Sequence, residues 1–406
     1  MKKQKIEDLA IFGGPKAFNE KLHVGRPNIG NKDQLMQRVS DVLDSGWLTN
    51  NGPYVKEFER RLSEYLGVKH CLAVCNATLA LEIAARALGF KGEVILPSFT
   101  FIASAHAMKW INITPVFCDI DPNTHNIDPL KIEELITPQT TGILGVHVWG
   151  QPCDIKSITK IAEKYNLKVL YDAAHGLGSS YQGRKIGGFG EAEVFSFHAT
   201  KFFNTLEGGA ITTNSDRVAN KIRLLRNFGF YGLDNVVELG TNGKMNEISA
   251  AMGLTSLDSI DEFIATNKRN YDCYRSELND IHGLRIIHYD ENERSNFQYI
   301  VLEVDENKSG INRDKLVHVL HAENILARRY FYPGCHQLEP YRTLYPQVGK
   351  RLHETEILVE RVMCLPNGKA INISDIKQIS KIIQFTLDHS ERISELLSHE
   401  NNRSGK

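Results

Sequence analysis

Short apolar runs alternate with amphipathic stretches between about residues 70 and 215, and this alternation limits the fold more than any other feature of the chain. Buried strands separated by helices of roughly 10 to 15 residues are typical of a mostly parallel sheet with helices on both faces. The predicted strands are HCLAV, EVILP, TPVFCDI, TGILGVHVWG, LKVLYDAA, EVFSFHA and GAITTN, and the helices include LALEIAARALGF and SITKIAEKYN. Ligands bind at the carboxyl ends of such strands, so polar residues there are candidates for a site.

The pattern changes beyond about residue 255. A long helical stretch, 256–280, leads into two strand-like segments, LRIIH and FQYIVLEV, and then into the helix RDKLVHVLHAEN and a final helix, DIKQISKIIQFTLDHSERISELL. With 406 residues the chain is long for a single core. We therefore predict an α/β protein with a large domain and N-terminal segment in 1–255 and a smaller C-terminal α/β domain in 256–406.

Composition argues against several classes of partner. The 48 Lys and Arg residues nearly balance the 49 Asp and Glu residues, and no basic block predicts nucleic-acid binding. The N-terminus lacks the apolar region of a signal peptide, and no run of 18 apolar residues occurs, which predicts a cytoplasmic protein without membrane contact. Seven cysteines without a CxxC pair, and fifteen histidines without an HExxH spacing, predict neither disulfides nor a metal site.

One lysine stands apart from other basic residues. Lys201 lies in VFSFHATKFFNTLEGGAITTN and is the only lysine or arginine between Lys185 and Arg217. A half-buried lysine loses part of its preference for the protonated form, which leaves a free amine to form a Schiff base with an aldehyde. The alternative is a structural lysine that extends from a strand end to solvent.

An acidic residue, Asp172, ends the strand-like run LKVLYD. A carboxylate at the end of a buried strand is costly without a partner, and the pyridinium nitrogen of pyridoxal phosphate is such a partner. The alternative is an aspartate that caps the helix after the strand.

Small and hydroxyl residues open a helix directly after the first strand, in CNATLALEIA. The backbone amides around Asn76 and Ala77, with the hydroxyl of Thr78, are suited to bind a phosphate group, and Ser196 can donate to the same phosphate. In PSFTFIASAHA, Phe101 follows a strand end, where its ring can stack on a cofactor. The alternatives are ordinary helix capping and a core phenylalanine. The GxxxxGK[ST] pattern is absent, so Walker-type nucleotide binding is not predicted.

Taken in order, several segments resemble the DegT/DnrJ/EryC1/StrS family of sugar aminotransferases over about residues 25–390. The segments are SGWLTNNGP, CNATLAL, LPSFTFIAS, FCDIDPNTHNID, VLYDAAHGLG, FSFHATK, EGGAITT and GTNGKMNEISAAMG. The resemblance implies the aspartate aminotransferase type fold (fold type I), with a mostly parallel seven-stranded sheet in the large domain. It also implies a homodimer with the active site at the subunit interface, pyridoxal 5'-phosphate as cofactor, and L-glutamate and a nucleotide-linked keto sugar as substrates.

The resemblance also implies roles for single residues. Lys201 would hold the cofactor covalently and move protons, and Asp172 would pair with the ring nitrogen. The remaining cofactor contacts would be His175 on the phenolic oxygen, Phe101 on the ring face, Asn76, Ala77, Thr78 and Ser196 at the phosphate, and Asn242 reaching the phosphate from the neighbouring subunit. The chain departs from the family at Lys244, which replaces an arginine and loses its planar fork. It departs again at Ala77, where glycine often precedes the threonine.

The segment 327–342 resembles the subgroup that aminates C4 of dTDP-4-keto-6-deoxyglucose, a step of deoxysugar biosynthesis that serves O-antigen and lipopolysaccharide assembly. The implied substrate contacts are Thr49, Asn50, Arg329, Tyr332 and His336. A solvated charge or a core aromatic is the alternative at Arg329, Tyr332 and His336. A 3-keto sugar aminotransferase and a noncatalytic regulator that binds the cofactor are alternative functions. Lys201 argues against the subset of the family that carries histidine there and acts as a sugar 3-dehydratase.

Overall fold

A computed structural model describes residues 3–404 of the chain, with side chains through residue 398. Its centre is a seven-stranded sheet. In chain order the strands are β1 His70–Val74, β2 Glu93–Pro97, β3 Thr114–Cys118, β4 Thr140–Val146, β5 Lys168–Asp172, β6 Ala192–Ser196 and β7 Gly209–Thr213. All seven coincide with predicted strand segments.

The sheet has the spatial order β1-β7-β6-β5-β4-β2-β3. Six strands run parallel, and β7 is antiparallel to both of its neighbours, β1 and β6. The short connection between β6 and β7 permits this reversal, because antiparallel strands need no crossover helix. The predicted α/β fold with a mostly parallel sheet is thus confirmed, and the carboxyl ends of β1, β2, β5 and β6 meet at one edge.

Helices cover both faces of this sheet. Along β5, Val169 and Tyr171 point into one apolar cluster and Leu170 points into the other, as the two-residue period of a strand requires. The helices that contribute to these layers are Pro53–Leu66, Ala77–Leu88, Ile102–Trp110, Ile155–Tyr165, Asp216–Leu225 and Glu247–Asp258, and Lys32–Ser45 lies outside the last of them.

A smaller body surrounds a three-stranded antiparallel sheet formed by β8 Leu284–Ile286, β9 Ile300–Val304 and β10 Val362–Leu365. Its helices are Arg313–Ala322, His353–Arg361, Ile373–Asp388 and Ser390–Ser404. The helix Ile260–Leu278 connects the two bodies, because Phe263 is buried in the large core and Tyr274 in the smaller one. Within residues 3–404 no helix is long and apolar enough to span a bilayer.

Two predicted helices are each divided in the structure. The stretch 256–280 spans the end of Glu247–Asp258 and the helix Ile260–Leu278, because Ser259 leaves helical geometry with φ −110° and ψ 6°. The final helix is interrupted in the same way at His389, where φ is −118° and ψ is 23°. Neither break has a glycine or proline, so the sequence contains no local signal for them.

The N-terminal segment packs on the smaller body. Residues Leu22–His23 pair in parallel with Ile325–Leu326, and Lys3 forms a buried 2.8 Å ion pair with Glu323. This differs from the predicted division, which put the segment with the large domain. The remaining boundary near residue 255 stays a prediction.

Candidate active site

Lys201 lies in the turn that follows β6. Its backbone N–H donates to the carbonyl of His198 over 2.9 Å, and Phe197 and Phe203 on either side pack edge to face at 5.0 Å in the large core. The side chain is half-buried. Burial lowers the pKa of the Lys201 amine to about 8, while the charge of Asp172 acts in the opposite direction. More of the amine is therefore unprotonated near neutral pH than in an ordinary lysine.

Asp172 ends β5, the strand next to β6. Its carboxylate is only 6% exposed, and it accepts hydrogen bonds from Ser104 Oγ at 2.8 Å and from the Ala174 N–H at 3.1 Å. Burial raises the pKa of Asp172, and these two donors act against that rise. Among the side chains through residue 398, no lysine, arginine or histidine lies within ion-pair distance of it. The site thus contains a buried carboxylate without a cationic partner of its own.

His175 follows Asp172 by three residues and is 7% exposed. Its Nδ1 accepts the backbone N–H of Trp149 at 3.3 Å, and its Nε2 lies 3.2 Å from Tyr299 Oη. Burial and the nearby Lys201 amine hold the pKa of His175 well below its ordinary value. The imidazole is therefore neutral and carries its proton on Nε2.

The predicted phosphate-binding residues meet at one end of the sheet. Asn76 caps the helix Ala77–Leu88, and its side chain accepts the N–H of Leu79 at 2.8 Å. Ser196 is paired with Gly209 across β6 and β7. A Cβ atom on Gly209 would lie 2.7 Å from the Phe195 carbonyl oxygen and 3.0 Å from the Ala77 nitrogen, so this approach requires glycine. Thr78 is exposed in the first turn of this helix, where backbone amides have no acceptor within the helix.

Aromatic rings border the same edge. Phe331 stacks nearly parallel to the indole of Trp149, with centroids 5.4 Å apart, and to the imidazole of His175, at 5.9 Å. The ring of Phe101 is 56% exposed and lies 6.5 Å from Phe331. An exposed ring directly after a strand end is a poor core residue, and it is available to a planar ligand.

Two predicted substrate residues lie beside Phe331. Arg329 stacks on the ring of Tyr332 at 4.6 Å, and its guanidinium forms a 3.1 Å ion pair with Asp314. Both side chains are partly exposed, so each has a free face for a ligand. His336 has different surroundings, because it is 3% exposed and its ring nitrogens contact Ser98 Oγ at 2.7 Å and Glu356 Oε1 at 2.8 Å.

The predicted substrate residues Thr49 and Asn50 are exposed in a loop before the helix Pro53–Leu66. Glu247 fixes this loop, since its buried carboxylate accepts the N–H groups of Gly52 and Tyr54, each at 2.8 Å, and that of Val55 at 3.3 Å. The loop is thus anchored at its base while its tip faces solvent.

Asn242 is exposed, and the segment that carries it passes the phosphate-binding corner of its own chain. The carbonyl of Gly243 accepts the N–H of Cys75 at 2.9 Å. Burial and Arg226 lower the pKa of Lys244, whose amine lies 4.5 Å from the ring of Phe228. Asn242 therefore lies at an exposed surface close to the segment that carries Asn76.

Several residues of the site escaped the sequence analysis, and Ser104 and Tyr299 are the side chains among them that contact Asp172 and Lys201. Ser104 lies in the segment PSFTFIASAHA, in the first turn of the helix, and only its spacing from the strand end could have indicated it. Tyr299 comes from the smaller body, 98 residues after Lys201, and its hydroxyl is 3.5 Å from the amine of that lysine. No local pattern predicts a contact over that separation.

Comparisons with known proteins give a consistent assignment. A model of the DegT/DnrJ/EryC1/StrS aminotransferase family matches residues 30–384. The dTDP-4-amino-4,6-dideoxy-D-glucose transaminase of Shigella dysenteriae is 41% identical over 89% of this chain and 98% of that protein. The structure of DesI in the presence of its TDP-sugar product is 45% identical, with a TM-score of 0.92 over 97% of this chain and all of that one. The PLP form of the putative sugar aminotransferase Spr1654 from Streptococcus pneumoniae is 26% identical, with a TM-score of 0.84 over 91% of this chain and 99% of that one.

Proposed function

The chain belongs to the DegT/DnrJ/EryC1/StrS aminotransferase family, and we propose on that premise that it transfers an amino group to C4 of a nucleotide-linked 4-keto-6-deoxy sugar. The substrate is dTDP-4-keto-6-deoxyglucose and the product is dTDP-4-amino-4,6-dideoxyglucose. The support is the 41% identity to a transaminase of that name over nearly its whole length. The protein is an enzyme of fold type I that depends on pyridoxal phosphate.

The observation that carries this proposal is the pair of Lys201 and Asp172 at the ends of adjacent parallel strands. A buried carboxylate without a cationic partner fits the protonated ring nitrogen of pyridoxal phosphate, and an amine with its pKa lowered to about 8 fits the aldehyde. The free amides at the start of Ala77–Leu88, with Thr78 and Ser196, fit the phosphate. The residues present therefore match all three polar ends of the cofactor.

When bound, pyridoxal phosphate supplies an aldehyde that takes up the amino group and a ring that withdraws electrons. Asp172 would hold the ring nitrogen in its protonated form, and its two hydrogen bonds favour the charged carboxylate. Lys201 Nζ would move the proton between the substrate carbon and the aldehyde carbon of the cofactor, which the transfer of the amino group requires. Near pH 7.5 about a quarter of an amine with a pKa of about 8 is free, against about 0.1% of an ordinary lysine. The tether holds this amine near the reacting carbon, so proton transfer is effectively intramolecular.

In this proposal the nucleotide-sugar is contacted by Arg329 and Tyr332 and by Thr49 and Asn50. His336 contributes to the shape of the pocket. The amino donor is L-glutamate, and the protein acts in the cytoplasm. The product serves deoxysugar assembly of the O-antigen type.

The active unit in this proposal is a homodimer in which Asn242 reaches the phosphate of the neighbouring subunit. Support comes from the exposure of Asn242 and from a nearby hairpin whose apolar side chains Tyr231 and Leu233 are 70% and 91% exposed. One chain has a mass of 45.8 kDa, and light scattering should give twice that mass. A monomer with full activity would contradict this part of the proposal.

Replacement of Lys201 by alanine tests the chemistry directly. The wild-type protein should absorb visible light when loaded with pyridoxal phosphate and should form 2-oxoglutarate from glutamate, whereas Lys201→Ala should do neither. Lys185→Ala is the matched control, because Lys185 is a partly buried lysine whose pKa is also lowered by burial. An active Lys201→Ala enzyme would remove the mechanism.

The substrate is tested with glutamate and a panel of dTDP and GDP keto sugars. We expect the dTDP-4-keto sugar to be the best acceptor, and NMR should locate the new nitrogen on C4. Nitrogen on C3 would favour the 3-keto alternative, and no 2-oxoglutarate with any acceptor would favour a noncatalytic role.

A further inference from the structure

Tyr299 directly precedes β9 in the smaller body, yet its hydroxyl lies between two residues of the large body. Tyr299 Oη is 3.5 Å from Lys201 Nζ and 3.2 Å from His175 Nε2. We propose that Tyr299 is a positioning residue whose hydroxyl holds the Lys201 amine and the His175 imidazole in one hydrogen-bonded line. This inference rests on the proposed function, since it concerns how the amine is presented to the aldehyde.

The direction of the hydrogen bonds follows from the backbone. The Trp149 N–H donates to Nδ1 of His175, so the neutral ring has its proton on Nε2 and donates it to Tyr299 Oη. Burial holds the pKa of Tyr299 well above its ordinary value, so the phenol keeps its own proton. One lone pair of Oη remains, and it faces the Lys201 amine.

The ring of Tyr299 is held firmly. It meets the indole of Trp149 edge to face at 5.4 Å, and its carbonyl accepts a 2.7 Å hydrogen bond from Tyr289 Oη. Phenylalanine at position 299 would keep these ring and backbone contacts and lose only the hydroxyl. The variant Tyr299→Phe therefore separates the hydrogen bonds from the packing.

The hydroxyl matters to the amine because no other described side chain takes its place. Through residue 398, Tyr299 Oη is the one side-chain or backbone atom that hydrogen-bonds Lys201 Nζ. Hydrogen bonds to an ionised group are about twice as strong as those between neutral groups. Loss of the acceptor therefore disfavours the ammonium form more than the free amine, and it also leaves the amine less well placed.

Capture of pyridoxal phosphate by cofactor-free full-length protein measures both effects without turnover. The rate at which the visible band appears is recorded against pH. The midpoint of this rate profile gives the pKa of the Lys201 amine. The rate at high pH, where the amine is fully deprotonated, shows how well the amine is placed. For Tyr299→Phe we expect the midpoint to fall by about half a pH unit or more and the plateau rate to fall several-fold.

Tyr330→Phe is the matched control. Its ring lies 6.1 Å from that of Tyr299, and through residue 398 its hydroxyl forms no hydrogen bond to Lys201 or His175. The control should keep the wild-type midpoint, and thermal melts should show both variants folded. A Tyr299→Phe midpoint that is unchanged or moves upward overturns the inference. If the wild-type protein captures no cofactor, the proposed function itself fails, which is a different result.

Discussion

Replacement of Ser104 by alanine should make the enzyme more sensitive to acid. Ser104 Oγ donates to Asp172 Oδ2 at 2.8 Å, and Thr100 Oγ1 in turn lies 2.9 Å from Ser104 Oγ. Because Ser104 donates its one proton to the carboxylate, Thr100 is the donor in the second bond. The two hydroxyls form a fully buried line that stabilises the charged form of Asp172.

The magnitude follows from the charge on the acceptor. A hydrogen bond to a charged group contributes about 1.5–3 kcal/mol, and about 1.4 kcal/mol corresponds to one pH unit in a titration midpoint. Ser104→Ala removes a donor that favours the carboxylate, so protonation of Asp172 begins at a higher pH than in the wild type. We expect the acid limb of kcat/KM to move upward by about one to two pH units. Activity near pH 8 should change little.

The assay is a pH profile of glutamate-dependent amino transfer for three proteins. Ser179→Ala is the control, because Ser179 is also fully buried but, through residue 398, its hydroxyl has no hydrogen-bond partner. The control should follow the wild-type profile. An acid limb of Ser104→Ala that coincides with the wild type would show that this hydroxyl does not support the charge of Asp172.

Two further predictions concern the rim of the site. Arg329→Ala should raise the KM for the nucleotide sugar about tenfold or more, with little effect on the glutamate half-reaction, because a charge-assisted contact is lost. The control is Arg342→Ala, which removes an exposed arginine paired with Glu339. Equal effects of both substitutions on KM would argue against a specific contact of Arg329. Glu247→Gln should lower the thermal midpoint by a few degrees, because the carboxylate that accepts three backbone N–H groups is replaced by an amide whose NH₂ meets donors. Glu262→Gln, at an exposed ion pair, should stay close to the wild type, and similar melting of both variants would contradict the role of Glu247.

The strands and most helices could be predicted from the sequence, because each has its own local pattern of apolar and polar residues. The strand HCLAV and the lysine after EVFS could both be located by their apolar neighbours and by the position of the strand ends. The breaks at Ser259 and His389 could not, since neither has a glycine or proline to mark it. The attachment of residues near Lys3 to Glu323 is likewise a long-range contact.

The residues of the candidate site also divide into those that local sequence patterns predict and those that depend on long-range packing. Asp172 and Ser196 end parallel strands and Lys201 follows one, so their meeting at one edge is predictable from topology. Tyr299 and Phe331 reach that edge from another body, and their contacts depend on how the bodies pack. His336 shows the converse problem, because a residue type suited to a ligand is instead enclosed by Ser98 and Glu356.

The connection between the two bodies has a consequence for protein engineering. Tyr299, which contacts Lys201, and Phe331, which stacks on His175, both come after the connecting helix Ile260–Leu278. A chimera that takes its C-terminal half from a homologue would therefore change the surroundings of the Lys201 amine as well as the sugar contacts. We therefore expect a C-terminal swap intended to alter acceptor preference to keep activity only when residues 299 and 331 are retained from the protein that supplies Lys201.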